Sequence, residues 1–251
     1  MSRLALHVLR GVVWAGVCFP FYTQARRMDA VRRWSAHLLG VLAVRVEFSG
    51  PPPRAGVAAM IVANHVSWLD IFALNSVHPA RFVAKSQIRR WPVIGWMVAK
   101  GGTLFIERAR RHKIAHVNRQ VVAALEQGDT FAVFPEGMIT TGDMLLPFHA
   151  SVLQPALTCN ALLHPVAIRY TRTDGSLCSE ADYEGDKSML DSLLAMLTQP
   201  VIHARLQFLP PFPCNGAHRR DLAHAAEGLI ARALNLPAPS RRAGRASGPT
   251  T

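Results

Sequence analysis

The sequence is short of acid. Against 28 Lys and Arg it sets 16 Asp and Glu, a formal net charge of +12 over 251 residues. Such a chain seeks anionic surfaces, nucleic acid or anionic lipid. Cysteine is scarce too. Cys18, Cys159, Cys178 and Cys214 are widely scattered, and no pair has metal-ligand or redox-motif spacing. That excludes a zinc module or disulfide framework and reads as reduced thiols in a cytoplasmic setting. No internal repeat, P-loop, Gly-x-Gly-x-x-Gly, Gly-x-Ser-x-Gly or His-Glu-x-x-His is present. Nor is there an RNP-like motif, zinc-finger spacing or basic zipper, so nucleic acid is not an expected partner. Apolar residues, by contrast, make up 50% of the chain. High apolarity joined to basicity favours lipid.

The apolar content is uneven. Residues 4–22 are largely apolar, about the minimum needed to cross a bilayer, but His7 and Arg10 interrupt the run and Pro20 ends it. A signal peptide fits poorly, because Arg10 breaks its apolar core and Thr23-Gln24-Ala25 is a poor cleavage site. Arg26, Arg27, Arg32, Arg33 and Trp34 follow directly, a composition suited to anionic headgroups. The segment is expected to be an uncleaved N-terminal anchor on the cytoplasmic face of the inner membrane. The plainer alternative is a hydrophobic helix packed on the domain.

The remainder alternates strand and helix patterns. Strands are expected over 42–48, 57–63, 81–85, 103–106, 130–134, 162–170 and 201–209. Helices are expected over 68–76, 110–127, 151–160, 188–198 and 219–234, with a long polar loop over 171–187. The second is the clearest helix: Ile114, Val117, Val121 and Leu125 share a stripe, and Gly128 stands where the helix should end. The pattern points to an α/β fold, a mixed, mostly parallel sheet flanked by helices. Three regions are expected: 1–36 membrane-associated helical, 37–236 the α/β domain, and 237–251 a disordered tail.

Three strand ends carry unusual polar groups: Asn64-His65 with Asp70 one turn on, Glu107-Arg108, and Pro135-Glu136-Gly137. Parallel strands would bring these turns to one edge, where α/β proteins place ligands. Such a site could acylate an alcohol. An alcohol is a weak nucleophile at neutral pH and needs a base, and imidazole titrates in that range. Asp70 could orient the imidazole and stabilise its protonated form. Ser67 is close enough in sequence to raise a Ser-His-Asp hydrolase, but a helix N-cap is the preferred reading for it. Arg108 is either a clamp for an anionic headgroup or a surface arginine beginning a basic helix. Glu136 is either a ligand contact or a structural acceptor. Gly137 would permit close backbone approach.

Together these residues resemble the glycerolipid acyltransferase family, which includes bacterial 1-acylglycerol-3-phosphate acyltransferase. Residues 64–70 match its Asn-His-x4-Asp block, residues 102–108 the second block, Phe134-Pro135-Glu136-Gly137 the third, and Leu163-His164-Pro165-Val166-Ala167-Ile168 the fourth. The resemblance spans roughly residues 40–210. It implies His65 as base and Asp70 as its partner, with Arg108, Glu136, Gly137 and Pro165 at the acceptor. It implies transfer of a fatty acyl group from acyl-CoA or acyl-carrier protein to a lysolipid hydroxyl, 1-acyl-sn-glycerol-3-phosphate before others, without metal or cofactor. Met138-Ile139 stand where the family usually has Thr-Arg, and Phe148-His149 where it has Phe-Lys. The tract from Thr140 to Phe148 is similar to relatives that acylate lyso-ornithine lipid, whose head carries no phosphate. A non-catalytic membrane lipid-binding protein is the alternative from another class.

Overall fold

The computed structural model describes residues 2–106, 111–181 and 189–239. Its strands are β1 (Val44–Ser49), β2 (Ala59–Ala63), β3 (Arg81–Lys85), β4 (Leu104–Ile106), β5 (Thr130–Val133), β6 (Leu162–Thr171) and β7 (Ile202–Phe208). Its α-helices are α1 (Ser2–Val17), α2 (Gln24–Val41), α3 (Asp70–Val77), α4 (Ile94–Lys100), α5 (Arg111–Glu126), α6 (Gln154–Thr158), α7 (Met189–Met196) and α8 (Arg219–Leu234).

The strands form one sheet in the order β1-β7-β6-β2-β5-β3-β4. The five strands from β6 to β4 are mutually parallel. β7 runs antiparallel to β6 and parallel to β1. The expected mixed, mostly parallel α/β sheet is therefore what forms. β2 lies at its centre because every one of its residues is apolar and buried, as a strand covered on both faces requires. Ile61 and Ala63 face a core with α2, α3 and α7, whereas Met60 and Val62 face one with α5, α6 and α8.

Pro165 sits inside β6, where a proline ordinarily breaks the ladder. Leu163 exchanges both backbone bonds with Phe212, so Pro165, two residues on, turns its nitrogen to the same flank. There β7 has already ended at Phe208, and the carbonyl of Pro165 accepts from Leu209 N at 2.9 Å. The missing N–H falls where the partner strand has left the ladder.

Several expectations change. The apolar run of residues 4–22, expected to end at Pro20, is α1, which stops at Val17, and a 3-10 turn over Phe19–Phe21 that reverses the chain into α2. α1 packs close on α2; a Cβ on Gly11 would lie 2.3 Å from Trp34 Nε1. No helix among the described residues is long and apolar enough to cross a membrane. The helix expected over 151–160 is a 3-10 turn, Ala150–Leu153, followed by the five-residue α6 with Pro155 in its first turn. The part of the expected loop that is described, up to residue 181, is ordered by Arg172, which donates to both Glu180 oxygens at 2.7 and 2.9 Å. The remainder of that loop and the tail from residue 240 lie outside the described residues.

Candidate active site

The site is built at the C-terminal edge of β2. Asn64 ends the strand and extends the sheet with its side chain: Nδ2 donates to Ile168 O at 2.9 Å and Oδ1 accepts from Ile168 N at 2.8 Å. The main chain then turns. Val66 and Leu69 are buried in the α3-side core and pull the turn inward. Asp70, the first residue of α3, is carried in with them and is wholly buried.

His65 Nδ1 lies 2.7 Å from Asp70 Oδ2. The same oxygen accepts Val66 N at 2.8 Å and Ser67 N at 3.0 Å. Facing a carboxylate, Nδ1 carries the ring proton, which leaves Nε2 as the basic nitrogen. Among the described residues Nε2 has no partner, and the side chain is 18% exposed. Phe134 stacks on the imidazole at 4.1 Å with an interplanar angle of 11°, so the ring is fixed both in plane and in tilt.

The second strand end arrives from β5, the neighbour of β2. Glu136 is buried and bonds to both loops: Oε1 accepts His65 N at 2.7 Å and Oε2 accepts Leu146 N at 2.9 Å. Burial pushes its carboxyl up to about 7, against the pull of the two amide bonds, with Asp70 and Glu227 adding to the rise. Gly137 takes a φ of +77°, which lets the chain fold back so that its N–H reaches Phe134 O at 3.1 Å. Thr140 N then donates to His65 O at 2.9 Å.

The structure thus brings together His65, Asp70, Glu136 and Gly137. Pro165 is held in the body of the sheet, paired with Val62 and buried. Arg108 and Glu107 lie outside the described residues. Ser67 is not the N-cap expected. It is wholly buried, α3 begins three residues later, and its hydroxyl accepts Leu69 N at 3.3 Å. A serine facing backbone in the core is not placed to be a hydrolase nucleophile.

Three contributors were not singled out from the sequence. Tyr170 on β6 donates its hydroxyl to Asp70 Oδ1 at 2.8 Å. Thr140 braces the His65 carbonyl. Glu227 on α8 accepts Phe148 N at 2.8 Å and anchors the loop that Glu136 also holds. Glu227 had a signal: it stands on the apolar stripe of Ala223, Ala226 and Ile230, where a carboxylate needs a buried donor. Tyr170 had none beyond its even spacing from Val166 and Ile168.

Comparison with known proteins agrees with this geometry. The Acyltransferase family model matches residues 45–169. A lyso-ornithine lipid O-acyltransferase of Pseudomonas aeruginosa is 36% identical over 86% of this chain and 84% of its own. A 1-acyl-sn-glycerol-3-phosphate acyltransferase of Neisseria meningitidis is 35% identical over 73% and 71%. The crystal structure of the 1-acyl-sn-glycerophosphate acyltransferase PlsC from Thermotoga maritima superposes with a TM-score of 0.66 at 20% identity, covering 98% of this chain and 99% of that one, and so shares the fold. A chain that keeps this fold and is over a third identical to such relatives across most of its length belongs to the acyltransferase family and is an O-acyltransferase.

Proposed function

We propose that the protein acylates the free hydroxyl of a lysolipid, with His65 as general base. Nε2 takes the proton of the acceptor hydroxyl as its oxygen attacks the thioester carbonyl carbon. The C–S bond breaks, the thiolate leaves, and His65 returns the proton to it. Ester and free thiol are the products, with no acyl-enzyme. The observation that carries the reading is the 2.7 Å bond between His65 Nδ1 and buried Asp70, which leaves Nε2 open. Asp70 would stabilise the transient imidazolium. The carboxylate of Glu136 is occupied by two backbone amides, so its role in this reading is to join the two loops rather than to touch the acceptor. Arg108, from the resemblance, would meet an anionic part of a substrate.

Two acceptors are in view. 1-Acyl-sn-glycerol-3-phosphate requires cations at its phosphate. Residues 138–148 contain no Lys or Arg, and the exposed side chains there are Met138, Asp143, Met144 and Pro147. That wall favours lyso-ornithine lipid, which has an ammonium and no phosphate. Labelled acyl thioester supplied with each lysolipid in turn separates the two. Faster consumption of lyso-ornithine lipid is expected, and the opposite preference would reinstate the phosphate acceptor.

Membrane contact belongs to the same reading. α1 turns Leu6, Leu9, Val13 and Val17 outward, with Phe21 beyond them. Trp96 of α4 lies 3.7 Å from where a Cβ on Gly16 would stand, so an exposed aromatic continues the apolar ridge. Arg10 on α1 and Arg26, Arg32 and Arg33 on α2 are exposed. We infer that α1 lies on an anionic leaflet without crossing it. Flotation with phosphatidylglycerol vesicles should carry the protein upward, and Val13→Asp should leave it at the bottom; equal flotation of both would remove α1 from the contact.

A further inference from the structure

We propose that Tyr170 is a positioning residue for catalysis: its hydroxyl holds one oxygen of the Asp70 carboxylate while the other faces His65. The inference rests on the His65–Asp70 reading above and extends it to a residue on another strand.

Asp70 is 0% exposed. A carboxylate in that position is tolerable only if its lone pairs are met by donors. Oδ2 has three: His65 Nδ1, Val66 N and Ser67 N, at 2.7, 2.8 and 3.0 Å. Oδ1 has Tyr170 Oη at 2.8 Å, and among the described residues no second donor. The hydroxyl is itself wholly buried, in a core otherwise apolar, so the pairing satisfies both partners at once. Burial beside Asp70 keeps the phenol well above its ordinary range, so it is always a donor here.

The placement is not accidental to the sheet. Asn64, next to His65, is bonded in both directions to Ile168, two residues before Tyr170 on the same strand. Side chains two apart on a strand share a face. The clamp that fixes the end of β2 against β6 therefore also fixes the height at which the Tyr170 ring meets Asp70. Without the hydroxyl, Oδ1 would lose its donor while Oδ2 kept three, so the carboxylate charge would be shared less evenly and its seat against His65 would shift.

Tyr170→Phe is the test, because it removes one oxygen and preserves the ring. Turnover with labelled acyl thioester and the better lysolipid should fall about 10- to 100-fold while KM for both substrates changes little. The acidic limb of kcat/KM against pH should move upward by roughly half to one unit, since a carboxylate that loses a donor holds the imidazolium more tightly. A purely structural role would lower the melting temperature but leave the pH profile of the folded fraction unchanged, and that result overturns the proposal. A second measurement does not depend on how well the single variant folds. In an Asp70→Asn background, Tyr170→Phe should cost little further activity, because the two act through one interaction. Full additivity of the two losses overturns the proposal as well. His65→Ala reports separately on the reading beneath it: if that variant is inactive while Tyr170→Phe behaves as wild type, Tyr170 alone is withdrawn.

Discussion

The turn after β2 and the loop after β5 leave neighbouring strands at the same edge of the sheet, yet they are held in opposite ways. Between residues 64 and 70 the bonds run inward. Asn64 is tied to β6, Asp70 to His65 and Tyr170, and Asn64, Ser67 and Asp70 are all buried. Between residues 138 and 149 Thr140, Leu145 and Phe148 are buried while Met138, Asp143, Met144, Pro147 and His149 are exposed, and the backbone is fastened by two glutamates outside the segment. Glu136 holds Leu146, and Glu227 on α8 holds Phe148. In the proposed reading the first region keeps a base in one orientation. The second has a secured backbone and, at Met138, Asp143, Met144, Pro147 and His149, exposed side chains that can vary without disturbing the turn that holds His65. On that reading the difference separates what the site does from what it accepts.

The contrast can be broken at its strongest point by His65→Ala. Loss of the base should reduce turnover about 10²–10⁴-fold with both lysolipids alike. Turnover retained with either acceptor would mean that the first region is not the chemical one.

Glu136 joins the two regions, and its proton makes the join depend on pH. Folded, it keeps its proton up to about 7, against a usual 4.5. Folding therefore takes up a proton between these values, and this group's contribution to stability is fully present below 4.5 and lost as pH rises through about 7. The loss amounts to roughly 3 kcal/mol at most. Thermal melts should show wild type weakening from pH 5 to pH 8, whereas Glu136→Gln should show a flatter profile. Parallel slopes would place the proton elsewhere. The variant should also lose activity, about tenfold, because one of the two backbone amides would face an NH2 group.

The smallest change addresses the wall. Ile139→Arg restores a cation where the family usually carries one. It should lower KM for lysophosphatidate roughly tenfold and leave kcat nearly unchanged. A change in kcat without one in KM would show that the loop is not separable from the catalytic turn.

Much of this was legible beforehand because periodicity and motif spacing are local properties. The buried run of β2, the stripe of α5 and the alternation of β7 each declare themselves within one segment. His65 and Asp70 are five residues apart, so one turn brings them together whatever surrounds it. The misreadings came from competition that only packing settles. Ser67 resembles an N-cap, but the Asp70 side chain captured the amides of Val66 and Ser67, and the helix began later. Pro20 marked the end of the apolar run of residues 4–22, but only packing shows that the reversal at Phe19–Phe21 lays α1 along α2.

By itself the sequence determined the α/β alternation, the central buried strand, the basic apolar N-terminal segment and the histidine–aspartate pair at a strand end. Only the tertiary structure decided that Glu136 faces two backbone amides, that Glu227 reaches Phe148 across 79 positions and that Tyr170 reaches Asp70 across 100. Those partners are chosen by burial. A polar group shut away from water must bond to whatever donor or acceptor the fold places beside it, and sequence distance has no part in that choice.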